Sequence, residues 1–253
     1  LTQGQTPQLS IVIPCYNEAN RLPRTLRETL RFCAERGGNY EIIVVSDGSK
    51  DNTSDVARTI LSDAPENIIS EVIEYSPNAG KGRAIKVGMT AARGDRVLFM
   101  DADYSVPLED LSRAEALLNH GVHIAIGSRA TESTQIVQGQ SFLRERFAKL
   151  FGLIQRNYLG LKLKDTQCGF KLFTQSASHE IFSRTKLDSV IFDGEALWLA
   201  RKMGFETREF PVEWTHDLDT RIAYTPMKAL GVLLDMLKIP MLHRGDQLKK
   251  VLQ

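Results

Sequence analysis

Residues 96–105 read RVLFMDADYS. A short, mostly apolar run from Arg96 to Met100 breaks at Asp101 into a polar loop. A run of this kind is a strand buried on both faces, as in a parallel sheet covered by helices. In such sheets ligands bind beyond the carboxyl ends of the strands. The run therefore delivers Asp101, Ala102 and Asp103 to the ligand edge. Two carboxylates placed there can hold a hard divalent cation, Mg2+ or Mn2+, and bridge it to diphosphate oxygens. The competing reading is a helix-capping aspartate beside a solvated one.

The same pattern extends to both sides. Leu9–Ile13 is a β-branched run that Pro14 is expected to stop. Glu41–Val45 and Ile68–Tyr75 follow as strands, and Val122–Ile126 as another. Between them, Leu22, Leu26, Leu30 and Cys33 recur at helical spacing before Gly37-Gly38. Asp51 to Leu61, Gly80 to Ala92 and Leu108–Leu118 also read as helices. This alternation predicts an α/β fold: one Rossmann-like domain with a mostly parallel central sheet and helices on both faces. After Gly127 the pattern changes. Residues 131–141 are polar, Phe142–Leu161 reads as a long helix, and Cys168–Phe173 as a strand. Phe192–Met203 is predicted helical, Phe205–Trp214 extended, and 226–242 helical.

Composition narrows the class. The chain has 253 residues, 42% hydrophobic and 25% charged, which is ordinary for a globular protein and not for a disordered one. Lys plus Arg number 32 against 31 acidic residues, a net charge of +1 that gives no support to bulk nucleic-acid binding. Cys15, Cys33 and Cys168 form no CxxC and no metal-ligand spacing. They are expected to be small core or loop residues in a reducing compartment, not disulfide or zinc partners. No window of about 18 apolar residues is present to span a membrane. The sequence opens at Leu1, so a missing anchor stays open.

The polar segments after the first four strands fall on one edge. They are Pro14-Cys15-Tyr16-Asn17-Glu18, Ser46-Asp47-Gly48-Ser49-Lys50-Asp51, Asn78-Ala79-Gly80-Lys81-Gly82 and Asp101-Ala102-Asp103-Tyr104-Ser105. The third lacks the spacing of a Walker loop or of GxGxxG. Its two glycines around a lysine still permit close backbone approach with a cation near phosphate, the alternative being a plain helix-start turn.

Together IVIPCYNE (11–18), SDGSKDNT (46–53), NAGKG (78–82), DADYS (101–105), GSR (127–129) and DTQCGFKLF (165–173) carry a resemblance. The chain resembles family-two glycosyltransferases of the GT-A fold, in the branch of dolichyl- or polyprenyl-phosphate sugar synthases. The resemblance runs from about residue 9 to about residue 240. DTQCGFKLF is its most specific part and is similar to the dolichyl-phosphate β-glucosyltransferase subgroup. Three positions depart from the pattern: Ser46, where the family often has Asp; Ser105, where mannosyl members have Gln; and Asp219-Thr220-Arg221 in place of a late Gly-Ser-Lys run.

The resemblance implies roles. Pro14, Tyr16 and Glu18 would form the first nucleotide loop, with Tyr16 packing on a pyrimidine and Glu18 accepting from ribose. Asp47 would contact the uridine, Lys81 would lie near base or phosphates, Asp101 and Asp103 would form the metal motif and, with Ala102, border the nucleotide sugar, and Asp101, Asp103 and Arg129 would be catalytic. Arg129, Arg144 and Arg221 would bind the acceptor phosphate, Arg146 competing with a solvated helix face. Gln167, Glu195 and Trp214 would contact sugar or acceptor, with His216 a weaker reading, and Asp165, Gln167 and Lys171 belong to the specific motif. The implied domain runs over 9–240, with a nucleotide-sugar half (9–127) and an acceptor half (128–225). A loose N-terminus (1–8) precedes it, and an amphipathic helix and tail follow (226–253).

The implied reaction moves a hexose, glucose from a UDP-sugar by the motif, to a lipid phosphate. Mannose from GDP-mannose is the alternative. A phosphate acceptor is already an anion near neutral pH, so no strong base is needed. Direct displacement inverts the anomeric carbon to give a β product. The last helix aligns Leu230, Leu233, Leu234, Leu237 and Met241 on one face, with Lys228, Lys238, His243 and Arg244 near its ends. That pattern fits a helix lying in the cytosolic face of a membrane, or an ordinary core helix. Two rivals share the donor half. A saccharide or protein hydroxyl acceptor would need Asp165 or Glu195 as base, and a nucleotide-sugar sensor would need no catalysis. A nucleotidyltransferase would need a glycine-rich basic loop after the first strand, which PCYNEAN is not.

Overall fold

The computed structural model describes residues 6–130, 152–215 and 226–248, and for 135–136 and 226–229 the backbone alone. Arg144, Arg146, His216 and Arg221 lie outside the described residues, as do 1–5, 131–134, 137–151, 216–225 and 249–253.

Four strand–helix units open the chain. They are β1 (Leu9–Cys15) with α1 (Leu22–Arg36), β2 (Tyr40–Asp47) with α2 (Thr53–Leu61), β3 (Ile68–Tyr75) with α3 (Lys81–Ala91), and β4 (Arg96–Met100) with α4 (Leu111–Asn119). Then come β5 (Ile124–Ser128), β6 (Gln135–Ile136), a helix α5 over 152–159, β7 (Phe170–Thr174), α6 (Gln175–Phe182) and α7 (Phe192–Met203). β8 (Thr207–Pro211), β9 (Glu213–Trp214) and α8 (Pro226–Leu242) complete the series.

Alternation along the strands builds two cores. Val12, Ile43, Val45, Val97 and Phe99 face α3, α6, α7 and α8. Leu9, Ile11, Ile13, Leu98 and Met100 face α1, α2 and α4. Both faces of the central strands are thus covered, which is why they read as unbroken apolar runs. The three cysteines are free and buried, as expected of small core residues.

The seven-stranded sheet has the order β3-β2-β1-β4-β7-β5-β8. β1 to β4 pair in parallel, β7 runs antiparallel to both β4 and β5, and β8 is parallel to β5. The carboxyl ends of β1, β2, β3, β4, β5 and β8 therefore share one edge with the amino end of β7. The crossover order reverses between β1 and β4, the position where such sheets open a ligand crevice.

Several boundaries differ from expectation for physical reasons. β1 continues through Pro14 to Cys15, because Pro14 lies beyond the last residue paired with β4 and that ladder needs no donor from it. Val122 belongs to the turn after α4, its amide donating to Leu117 O at 3.2 Å, so β5 starts at Ile124. The expected strand 205–214 splits, β8 joining the large sheet and β9 pairing with β6. α6 was not expected; Thr174 caps it, its hydroxyl accepting from Ala177 N at 3.3 Å.

Candidate active site

The edge is built on the β4 end. Asp101 N donates to Gly169 O at 3.0 Å, so the first residue past β4 is joined to the segment leading into β7. A Cβ on Gly169 would collide with the Asp101 carboxylate. The glycine of the DTQCGFKLF segment is thus needed for Asp101 to lie where it does.

Lys81, the first residue of α3, reaches Asp101 Oδ1 with its Nζ at 2.6 Å. Both side chains keep about a third of their surface, 36% and 30%, so the pair lies at the mouth of the edge. Burial alone would lower the Lys81 ammonium, but the Asp101 carboxylate outweighs it and the pKa rises. Asp103 Oδ1 accepts from Ser105 N at 3.0 Å and Ser105 Oγ at 2.6 Å. Burial, and then the nearby Asp101 charge, push the Asp103 carboxyl up. Ala102 is buried, and its carbonyl accepts from Thr25 Oγ1 at 2.6 Å, which fixes the loop to α1. Tyr104 in that loop holds a positive φ of 54°, a conformation rare for a bulky residue and typical of functional loops.

Two clustered carboxylates facing one ammonium suit a cation that takes further ligands from a diphosphate. Among the described residues no group of three or more His, Cys, Asp or Glu side chains is placed to hold a metal.

The loop after β1 is tied to the loop after β2. Asn17 has a φ of 55°, and its Oδ1 accepts from Lys50 N at 2.7 Å. Glu18 N donates to Thr53 Oγ1 at 2.8 Å, while the Glu18 carboxylate binds the Arg21 guanidinium at 2.5–2.6 Å. Tyr16 is 40% exposed and Pro14 is buried.

Asp47 has local partners. Its carboxylate accepts from Asn78 Nδ2, Ala79 N and Gly80 N at 2.7–2.8 Å. It shapes the NAGKG turn from below. The glycines of that turn make their close approach to the chain itself: a Cβ on Gly80 or Gly82 would strike the carbonyls of Asp188 or Leu187. Gly82 N also donates to Asp188 O at 2.9 Å. Of the two readings of this turn, packing within the chain accounts for both glycines.

At the β5 end, Arg129 Nε and Nη2 bind Asp165 Oδ2 and Oδ1 at 2.7 and 3.0 Å. Burial would raise the Asp165 carboxyl, but the guanidinium prevails and holds it below the usual aspartate range. Arg129 lies 5.4 Å from the Trp214 ring centroid, and Gln167, exposed, donates its amide to Asp165 Oδ1 at 3.0 Å. The structure thus brings Arg129, Asp165, Gln167 and Trp214 together beside Asp101.

Glu195 departs from its expected role. Its fully buried carboxylate accepts from Lys186 N and Leu187 N at 2.9 Å each and meets His243 Nε2 at 2.7 Å. With these internal partners it is a fixture of the fold, not a contact for donor-sugar hydroxyls.

Two buried residues, Lys171 and Asp193, pair beneath the edge. Lys171, in β7, reaches Asp193 Oδ1 and Cys168 O at 2.6 Å each, fully buried, 5.1 Å from the Phe99 ring centroid. Burial pushes the Asp193 carboxyl up against the pull of Lys171. Asp193 was not singled out because its partner stands 22 positions away on another element, a pairing no local spacing reveals.

With that geometry in hand, comparison with known proteins is informative. Residues 10–182 match the family described as "Glycosyl transferase family 2". The chain belongs to that family. Dolichyl-phosphate beta-glucosyltransferases of Drosophila melanogaster and Homo sapiens are each 36% identical, over 85% and 83% of this chain and 69% and 68% of theirs. The Dictyostelium discoideum protein of the same name is 34% identical over 82% of this chain and 66% of its own. The chain thus spans about two thirds of the relatives' length. Among solved structures, mannosyl-3-phosphoglycerate synthase from Rubrobacter xylanophilus matches 97% of the chain and 77% of its own, with a TM-score of 0.65 and 19% identity. Glucosyl-3-phosphoglycerate synthase from Mycobacterium tuberculosis, solved with Mn2+, UDP and glucosyl-3-phosphoglycerate, matches 92% of the chain and 81% of its own, with a TM-score of 0.63 and 15% identity. The fold is that of GT-A glycosyltransferases.

Proposed function

We propose that this protein transfers glucose from UDP-glucose to a dolichyl or polyprenyl phosphate, with inversion, giving a β-linked lipid phosphate sugar. One observation carries the reading. The DTQCGF segment, which resembles the β-glucosyltransferase branch, physically joins the two halves of the edge. Its Gly169 backs Asp101 and its Asp165 holds Arg129. The curated relatives of that name support the same choice.

Asp101 and Asp103 would hold a divalent cation, which when bound supplies positive charge to the departing diphosphate. Lys81 adds its ammonium at the same place, beside a loop that the Thr25 hydroxyl holds to α1 through the Ala102 carbonyl. Residues 9–127 supply the donor half and 128–225 the acceptor half. Tyr16 and Glu18 border the nucleoside, and Asp47 acts by holding the 78–80 turn. Arg129 uses two N–H groups on Asp165, and the guanidinium retains others to grip the acceptor phosphate. Arg144, Arg221, Gln167 and Trp214 complete that side of the proposal.

The state of the carboxylates favours a phosphate over a hydroxyl acceptor. A hydroxyl needs a base, yet Asp165 is held down by Arg129 and Glu195 is buried among its own partners. An acceptor that is already anionic only has to be positioned in line.

The lipid reading also has a surface. Leu230, Leu234, Leu237 and Met241 of α8 are exposed, Met241 at 72%, while Met236 and Ile239 on the other side are buried. Leu153, Ile154 and Tyr158 of α5 are exposed too, and Tyr158 donates its hydroxyl to Leu237 O at 2.9 Å. The two helices thus present one apolar face, suited to a membrane interface at the cytosolic leaflet. Among the described residues no helix is long and apolar enough to cross a membrane.

Incubation with UDP-glucose, dolichyl phosphate and Mg2+ or Mn2+, followed by NMR of the lipid product, tests the proposal. A β-glucosyl phosphate is expected. An α product, or sugar found on a hydroxyl, contradicts it.

A further inference from the structure

The C-terminal end of α8 is connected to the donor side by an unbroken chain of contacts. His243, just after α8, is buried, with Nε2 2.7 Å from Glu195 Oε1 and Nδ1 2.6 Å from Asp246 Oδ2. An imidazole with a carboxylate oxygen at each nitrogen donates from both, which is the imidazolium form. Glu195 in turn receives the amides of Lys186 and Leu187 at 2.9 Å each. The next carbonyl, Asp188 O, accepts from Gly82 N at 2.9 Å, and the Leu187 and Asp188 carbonyls lie where only glycine fits at 80 and 82. Lys81 stands between those glycines and reaches Asp101.

The other groups around His243 reinforce the junction. Lys186 Nζ binds Asp246 at 3.0 Å and Leu242 O at 2.8 Å. The Trp198 ring lies 5.6 Å from the imidazole, and Lys202 approaches the ring at 5.4 Å. Two carboxylates meet the imidazole directly, whereas the Lys186 ammonium meets Asp246 and not the ring. Burial would lower the imidazole pKa, but the carboxylates raise it.

We propose that His243 is a positioning residue for the donor: clamped between Glu195 and Asp246, it fixes the 186–188 segment, and through it the Gly80–Gly82 turn and the Lys81–Asp101 pair. Affinity for a nucleoside diphosphate therefore depends on the end of α8 being docked. The same helix carries the exposed apolar face, so contact of that face with a lipid surface and readiness of the donor site share one element. The inference rests on the donor reading above.

The sign of its pH dependence follows from the raised pKa. The clamp is complete below the ordinary imidazole value and weakens as pH rises through the higher value in the folded protein. The experiment measures UDP affinity with Mn2+ by calorimetry from about pH 6 to about pH 9, in wild type, His243→Gln and Asp246→Asn. Amide exchange at Lys186, Leu187 and Gly82 is followed alongside. Asp246 lies on the outer side of the clamp, so Asp246→Asn leaves Glu195 partnered if His243→Gln does not fold. Taking wild type relative to variant cancels titration of UDP itself. Wild-type affinity is expected to exceed that of the variants by about tenfold at the acid end, one decade or 1.4 kcal/mol, converging at the alkaline end. The three amides should exchange faster in the variants. Equal affinities at every pH, or unchanged exchange at Lys186 and Leu187, overturn the proposal. If UDP does not bind wild type at all, the donor reading fails, and exchange at Gly82 still decides whether the clamp reaches the turn.

Discussion

Lys81 and Lys171 make the same bond in two different settings. Each ammonium lies 2.6 Å from an aspartate oxygen, and each lies within 6 Å of the Phe99 ring centroid. Lys81 and Asp101 keep 36% and 30% of their side-chain surface, whereas Lys171 and Asp193 keep 2% and 6%. The open pair costs little to rearrange, because water can replace either partner, so its charges can be lent to a ligand. The closed pair cannot be opened without stranding a charge. It holds β7 to α7 beneath the edge, which keeps the open pair in place. A distance alone does not separate a working ion pair from a structural one; access to solvent does.

The largest effect should break that comparison if it is mistaken. Lys171→Met strands Asp193 and is expected to cost about 3–5 kcal/mol of stability, read from denaturant unfolding. Lys81→Met should cost about 0–1 kcal/mol, as exposed pairs do, while lowering transfer by about 100-fold or more. Similar unfolding curves for the two variants would erase the distinction. Next, Asp103→Asn removes one of the two carboxylates proposed to hold the cation at the edge. Turnover should fall by about 100-fold or more with the melting temperature unchanged; near-normal turnover by folded protein would remove Asp103 from the metal motif.

A smaller effect concerns the other side of the edge. Arg129→Lys keeps the charge beside Asp165 but loses the planar fork. The acceptor KM should rise by about tenfold, with UDP affinity unchanged. A parallel fall in UDP affinity would place Arg129 on the donor diphosphate. The smallest effect is in acid. Asp165 is held below the usual aspartate range, so its contribution is full above that range and is lost as pH falls through its lowered folded value. Stability of Asp165→Asn should therefore fall less steeply than wild type over that acid window. Parallel acid limbs would mean that the Arg129–Asp165 pair adds nothing there.

Much of the sheet was legible: β1, β2, β4 and β5 are buried on both faces and read as apolar runs, while β3, the partly exposed edge strand, was legible from its β-branched and aromatic residues. The runs at Ile68–Tyr75 and Arg96–Met100 match β3 and β4 to the residue, and Phe192–Met203 matches α7. The antiparallel insertion of β7 between β4 and β5 was not legible, because an apolar run carries no record of its partner's direction. α6 was hidden by its composition, QSASHEIF, whose polar residues suppress the helical stripe. The place of Asp101 and Asp103 just past β4 was legible because a strand end marks them. Asp193 and Glu195 show the limit. They stand two residues apart on one helix, and only their distant partners, Lys171 and His243, separate the group beneath the edge from the one that anchors the end of α8.

The central claim is the choice of donor and acceptor, and one measurement tests it most directly. Wild-type protein is given UDP-glucose or GDP-mannose in turn, with polyprenyl phosphate present or absent and with or without Mn2+, and lipid-linked sugar is counted. The account predicts lipid-linked glucose from UDP-glucose alone, only when both the phosphate lipid and the cation are present. Faster transfer from GDP-mannose, or glucose transfer that does not depend on the phosphate lipid, would contradict it.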